Sequence, residues 1–342
     1  MSVDASYMMT KEIGYIRLNK FSSVTYREFM EALEPLKKAG LQKLILDLRG
    51  NGGGILDQAV EIADEFLDGD KLITYTEGKH VDKKEYRCRR NGQFETGKLV
   101  VLADEGSASA SEILIGALQD WDRATIVGRR SFGKGLVQEQ FDLSDKSALR
   151  LTIARYYTPI GRSIQRPYTN GERAYYDEVS NRYHDPETTY ADSVKNNSGK
   201  AYKTKGGKTV YAKGGIAPDY FIAMDTSGFS KNSAAIYNKS TISSFAYNFY
   251  LQNQALIKTF KSPADFIKGF SLSDENWKQF TDAAAKDSIN ISIVSAKEKS
   301  SLSNQIRSSI ARQIWRNEGY FEVINTTDEG IKKALEIIET NK

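Results

Sequence analysis

Between residues 13 and 156, short apolar runs alternate with longer stretches whose apolar residues recur every three or four positions. This alternation constrains the fold more than any other feature of the chain. Residues 13–19 and 43–48 have the length of strands, and the second is apolar enough to be buried on both faces. Residues 24–39 set Phe29, Leu33 and Leu36 on one helical face and stop at Gly40, while Pro35 predicts a kink or an early end. A second helix carries Leu56, Ala59, Val60, Ala63, Phe66 and Leu67 along one stripe. Strands are then expected at 72–75, 99–103, 124–127 and 148–156, with a helix over about 109–121. Strand and helix in this order predict a layered α/β core with parallel crossovers, whose site lies where strands end and helices begin.

Beyond this core the style of the sequence changes. Residues 167–207 are polar and tyrosine-rich with little periodicity, which reads as an extended insertion or surface arm. Residues 211–222 return to strand and turn character. From about 226 helical patterns take over: Leu302, Ile306, Ile310 and Ile314 recur every four residues, and a last helix is expected over 329–339. The expected organisation is a core over 1–225, with the polar insertion inside it, and a helical C-terminal domain over 226–342. Those helices could seat a homodimer, although such apolar stripes usually pack on their own domain.

Composition removes several function classes. The net charge of +4 comes from interspersed charges of both signs, and the nineteen tyrosines form no base-stacking signature, so nucleic acid is not an expected partner. Cys88 is the sole cysteine and His80 and His184 the only histidines, both in polar loop-like sequence. An internal disulfide is therefore impossible, and a zinc site or a Ser–His–Asp triad is disfavoured. No metal, nucleotide or organic cofactor is expected. No apolar stretch approaches the roughly eighteen residues of a membrane span. Residues 1–11 lack the pattern of a signal peptide, so the chain is expected to be cytosolic or a fragment of a longer protein.

The residues that suggest chemistry come as a pair. Gly106-Ser107-Ala108-Ser109-Ala110-Ser111-Glu112 puts hydroxyls at a helix start, and 25 residues after Ser109 stands Lys134, between two glycines in an apolar run. A serine needs a base to become a nucleophile, and a lysine serves if desolvation keeps its amine neutral. Each element has a plainer explanation. Ser109-x-x-Glu112 is a capping box, Lys134 has the composition of a surface loop, and Gly50-Asn51-Gly52-Gly53-Gly54 has that of a tight turn. The glycine run lacks the Lys-Ser or Lys-Thr of a P-loop and the spacing of a dinucleotide fingerprint, which leaves backbone N–H donation as its functional option. Ser107 and Ser111 compete with Ser109 for the nucleophile role, and Gln138 has the position to fix the lysine amine.

Together these motifs resemble the carboxyl-terminal processing peptidases, or tail-specific proteases. The similar stretches are residues 46–54, 106–112 and 131–138, with Tyr156-Tyr157-Thr158-Pro159-Ile160-Gly161-Arg162 and Gly214-Gly215-Ile216-Ala217-Pro218-Asp219 further on. The resemblance implies a crotonase-like α/β core, with Ser109 as nucleophile, Lys134 as general base and Gln138 orienting it. It places the oxyanion donors at the N–H groups of Ala110 and Gly53, with Gly52 the alternative, and gives Glu112 and Asp120 supporting parts. Ser131 stands where relatives often have threonine. The substrates it implies are the C-terminal tails of proteins, and the place is the periplasm or cell envelope. Relatives usually carry a peptide-binding PDZ domain ahead of the protease core, and none is visible here. Two other readings remain on the table: a scaffold that grips tails without cutting them, and an acyl-CoA enzyme of the crotonase type.

Overall fold

The computed structural model describes residues 1–168, 171–182, 199–212, 214–224 and 230–340. The chain divides into two compact units, one of residues 1–223 with 333–342, the other of residues 224–332.

The first unit opens with β1 (Val3–Met8), β2 (Ile13–Leu18), α1 (Thr25–Lys38), β3 (Lys43–Asp47) and α2 (Leu56–Asp64). It continues through β4 (Leu72–Glu77), β5 (Lys84–Arg87), β6 (Lys98–Ala103), α3 (Ala110–Asp120) and β7 (Thr125–Gly128). Then come β8 (Leu136–Asp142), β9 (Ala148–Tyr157), α4 (Gly171–Arg182), β10 (Lys200–Lys203), β11 (Thr209–Ala212) and β12 (Tyr220–Phe221). Strands β1-β2-β3-β6-β7-β12 form one sheet in that order. From β2 to β12 the pairing is parallel, and β1 adds to the edge antiparallel. The alternation in the sequence thus produces the α/β crossovers it predicts over β2-α1-β3 and β6-α3-β7. Leu44, Ile45 and Leu46 of β3 are wholly buried, as an apolar central strand must be.

Three details differ from the sequence expectation. The expected strands at 72–75 and 148–156 do not join the parallel sheet. They pair with each other antiparallel in a second sheet of order β5-β4-β9-β8. Helices α2 and α3 both pack on β4, and α3 also packs on β7 of the first sheet, so every residue of α3 is buried. Pro35 lies inside α1 without ending it. It falls in the last turn on the exposed face, where the carbonyl it leaves unbonded meets water. The segment 167–207 is not simply an arm: it contains α4, with Tyr175 and Arg182 buried, and opens the hairpin β10–β11. Residues 169–170 and 183–198, His184 among them, lie outside the described residues.

The second unit has its own core, in which Phe266, Phe280, Ile306 and Ile310 are wholly buried. It is built from α5 (Lys231–Asn238), α6 (Thr241–Gln252), α7 (Gln254–Ile257), α8 (Pro263–Gly269), α9 (Asp274–Lys286) and α10 (Ala296–Ile324). Ser230, Ser262, Ser273 and Ser295 each accept a backbone N–H at a helix start, the cap chemistry expected of serine there. The backbone of α10 leaves helical geometry at Trp315 and Arg316. The chain ends in α11 (Glu329–Glu339).

Candidate active site

Three loops leave the carboxyl ends of neighbouring parallel strands: residues 48–55 after β3, 104–109 after β6 and 129–135 after β7. They converge where an open α/β sheet binds its ligands. The first loop is anchored from beneath by Asp47, fully buried and held by Arg17 (2.8 Å), Arg49 (2.7 Å) and the Tyr15 hydroxyl (2.8 Å). Burial pushes the Asp47 carboxyl up, but the two guanidinium groups outweigh it and hold it well below the usual carboxylate range. Above it, Asn51 organises the glycine turn. Its amide donates to the Leu18 carbonyl (3.0 Å) and accepts from Gly53 N–H (3.0 Å), while its own carbonyl accepts from Ala108 N–H (2.9 Å).

Gly53, at φ +90°, presses directly on the serine turn. A Cβ there would lie 2.4 Å from the Ala108 carbonyl oxygen and 2.8 Å from both Ala110 N and Ser109 Cβ. Only glycine fits.

The three serines part company in their surroundings. Ser107 and Ser111 are fully buried, and their hydroxyls donate to the carbonyls of Leu48 and Asn51, each at 2.8 Å. Ser109 is half-buried and faces a cavity of about 560 Å³. It stands at the N-cap of α3 with φ 57° and ψ −113°, a conformation costing about 1–3 kcal/mol for a residue with a side chain. The capping box forms, with Ser109 N–H donating to Glu112 Oε2 at 2.9 Å. The next N–H, that of Ala110, has no acceptor among the described residues and sits at the positive end of α3.

Lys134 lines the same cavity from an irregular loop whose backbone is tied at nearly every step. Phe132 N–H donates to the Ser107 carbonyl (2.9 Å), and Gly135 N–H donates to Gln165 (2.8 Å). Gly133 N–H (2.7 Å) and Lys134 N–H (2.9 Å) both donate to Glu112, which also accepts from the Ser131 hydroxyl (2.5 Å). One buried carboxyl therefore holds Ser109 and Lys134 by their backbones. Burial pushes the Glu112 carboxyl up while its four donors pull it down, and the net direction is upward. A second tether is Tyr156, on β9, whose hydroxyl reaches the carbonyl of Lys134 and that of Ser109, the latter at 3.1 Å. Sequence reasoning gave Asn51 and Tyr156 no part. The available signal for Tyr156 is that a buried tyrosine hydroxyl needs a partner.

The remaining expected residues are placed as follows. Gly52, Gly53, Ala110 and Gln138 line the cavity with Ser109 and Lys134. Gln138 lies exposed on β8, and its amide makes no hydrogen bond to the Lys134 amine; nor do Ser109 Oγ and Lys134 Nζ bond directly. Asp120 is elsewhere, at the opposite end of α3, paired with the buried Arg162 at 2.5 Å and accepting Ile160 N–H at 3.2 Å. It braces the end of β9 against α3 and does not line the cavity. His80 is exposed in a turn.

Residues 12–171, which carry this constellation, match the model of peptidase family S41. This stretch is a peptidase family S41 domain. Residues 233–316 match a family of unknown function, DUF8443. The S41 domain is 44% identical over 157 residues to a carboxyl-terminal-processing protease of Synechocystis sp., covering 46% of this chain and 36% of that one. It is 43% identical over 163 residues to a carboxy-terminal-processing protease of Bartonella bacilliformis, covering 46% and 38%. The match thus spans little more than a third of these relatives' length. Among solved structures, the photosystem II D1 C-terminal processing protease superposes with a TM-score of 0.45 and 31% identity, over 62% of this chain and 42% of that one.

Proposed function

We propose that the chain is a serine endopeptidase that cuts protein substrates near their C-termini by a Ser–Lys mechanism. Ser109 is the nucleophile. The Lys134 amine takes its hydroxyl proton as Oγ bonds to the scissile carbonyl carbon, then gives that proton to the departing amine. The resulting acyl ester on Ser109 is hydrolysed by water that Lys134 activates. The oxyanion is received by Ala110 N–H and by the glycine turn, through Gly53, whose N–H now serves Asn51, or through Gly52. Gln138 orients the lysine amine once substrate fills the cavity, since catalytic hydrogen bonds often tighten only in the complex. Glu112 holds the two reacting residues in register and Asp120 braces the core behind them.

One observation carries this reading. Ser109 and Lys134 share a cavity while a single carboxyl and a single phenol fix both backbones. The names of the relatives, carboxyl-terminal-processing proteases, support the choice of protein tails as substrate. Among the described residues no helix is long and apolar enough to cross a membrane.

The test is mass-spectrometric detection of fragments from a peptide with an apolar tail. Ser109→Ala and Lys134→Ala should each lower kcat/KM by about 10⁴-fold or more. If Ser109→Ala kept its turnover while Ser111→Ala was dead, the nucleophile would be wrongly assigned. The missing direct bond between Ser109 and Lys134 favours one other reading, a scaffold that binds tails and leaves them intact. Tail binding without any fragment would establish it.

A further inference from the structure

A second cavity, of about 840 Å³, adjoins the first and shares Gly52, Lys134, Leu136 and Gln138 with it. Its own wall is aromatic. Phe132, Tyr168, Tyr175 and Tyr176 line it, with Val179 one helical turn beyond Tyr175. The rings form one cluster around Tyr175: Tyr168 at 5.0 Å, Tyr176 at 5.5 Å and Phe132 at 6.2 Å between centroids. Tyr175 is buried, whereas Tyr168 and Tyr176 are 52% and 57% exposed. Large rings left this open beside a reaction centre are available to a ligand.

The wall is held firmly to the loop that carries Lys134. The buried Arg166 guanidinium lies over both Phe132 (4.2 Å) and Tyr175 (4.0 Å). Glu178 of α4 pairs with Arg130 (2.8 Å), Arg166 (2.7 Å) and Arg182 (3.0 Å), and Arg182 donates to the Ser131 carbonyl at 2.8 Å. Burial alone would raise the Glu178 carboxyl, but these arginines bring it down to about 2, so the clamp stays ionised wherever a peptidase would be assayed. The carboxylate in the cavity wall, Glu105, is paired with Arg129 at 2.7 and 3.1 Å. Lys134 and Gln138 face the space from the side shared with the first cavity, with Thr152 beside them, and the far wall is aromatic and aliphatic.

We propose that this cavity is a specificity subsite that takes a bulky apolar or aromatic side chain of the peptide, next to the scissile bond. The proposal rests on the peptidase reading above for its substrate, but its binding arm can be tested apart from cleavage. Peptides carrying Phe or Ala at each of the two positions flanking the cut are compared by kcat/KM. At one of them wild type should prefer Phe by about tenfold or more, the discrimination apolar pockets achieve. Tyr168→Ala combined with Tyr176→Ala should bring that ratio towards one, and Val179→Trp, which fills the space instead of emptying it, should do the same. Melting curves show that the variants are folded, and because one enlarges the cavity and the other fills it, a shared folding defect does not mimic both. Wild type without a preference, or a double variant that keeps it, would overturn the subsite. Calorimetric binding of the same peptides to Ser109→Ala separates the two claims. A Phe preference there, lost on Tyr168→Ala and Tyr176→Ala, with no cleavage by wild type, sinks the peptidase reading and leaves the subsite standing.

Discussion

Ser109 is held at φ 57° by the turn between β6 and α3, and the side chain accounts for the strain. Ser109→Ala and Ser109→Gly both remove the hydroxyl, yet only the glycine relieves the backbone. Chemical denaturation should find Ser109→Gly the more stable by about 1 kcal/mol or more; equal midpoints would mean that the turn is not strained. Tyr156 touches the two central residues only through their carbonyls. Tyr156→Phe leaves those oxygens short of a donor and frees the lysine loop to drift. The expected result is a kcat about tenfold or more below wild type with little change in KM, because misplacement of reacting groups is costly. An unchanged kcat would reduce Tyr156 to a packing residue. At this scale residue type and motif single out Ser109 and Lys134 as candidates, and the structure brings both to one cavity. The sequence was silent where a residue works through backbone, as Asn51 and Tyr156 do. Local sequence likewise could not separate Ser109 from Ser107 and Ser111, because the carbonyls that engage the latter two come from the loop after β3, about sixty residues away.

Elements defined by their own periodicity were legible. The stripe Phe29, Leu33, Leu36 is buried along α1, and the apolar run of β3 fills the middle of the parallel sheet. Partner choice was not legible: β4 and β9 read as further strands of the first sheet, and only long-range pairing puts them in the second. Helix α4 escaped because few apolar residues mark its inner face; it is fastened instead by Glu178 to Arg130 and Arg166, and by its own Arg182 to the Ser131 carbonyl. Ionic attachment leaves no periodic apolar signal. In the second unit, α10 places Glu318 and Glu322 one turn apart. Burial first, and then the Glu318 carboxylate, raise Glu322 from 4.5 to about 7. Between those values the folded chain keeps a proton that the unfolded chain has released. Its stabilising effect is complete below about 4.5 and is lost as pH rises through about 7. Melting temperature against pH should therefore fall across that window in wild type and fall less in Glu322→Gln. Parallel curves would remove the pair from the account.

For the whole molecule, the S41 domain at residues 12–171 lies within the first compact unit, and the match to a family of unknown function at 233–316 lies within the second. Everything proposed about chemistry is built from the first unit: three loops at the ends of parallel strands, closed on one side by the second sheet and α4. The central claim is that a covalent ester forms on Ser109 with the help of Lys134. A pre-steady-state experiment with a 4-nitrophenyl ester of an apolar peptide reads this directly. Wild type should release a burst of nitrophenol matching the enzyme concentration, with the acyl group mapped to Ser109, and Lys134→Ala should lose the burst. Acylation at any other residue, or an undiminished burst from Ser109→Ala, would contradict it.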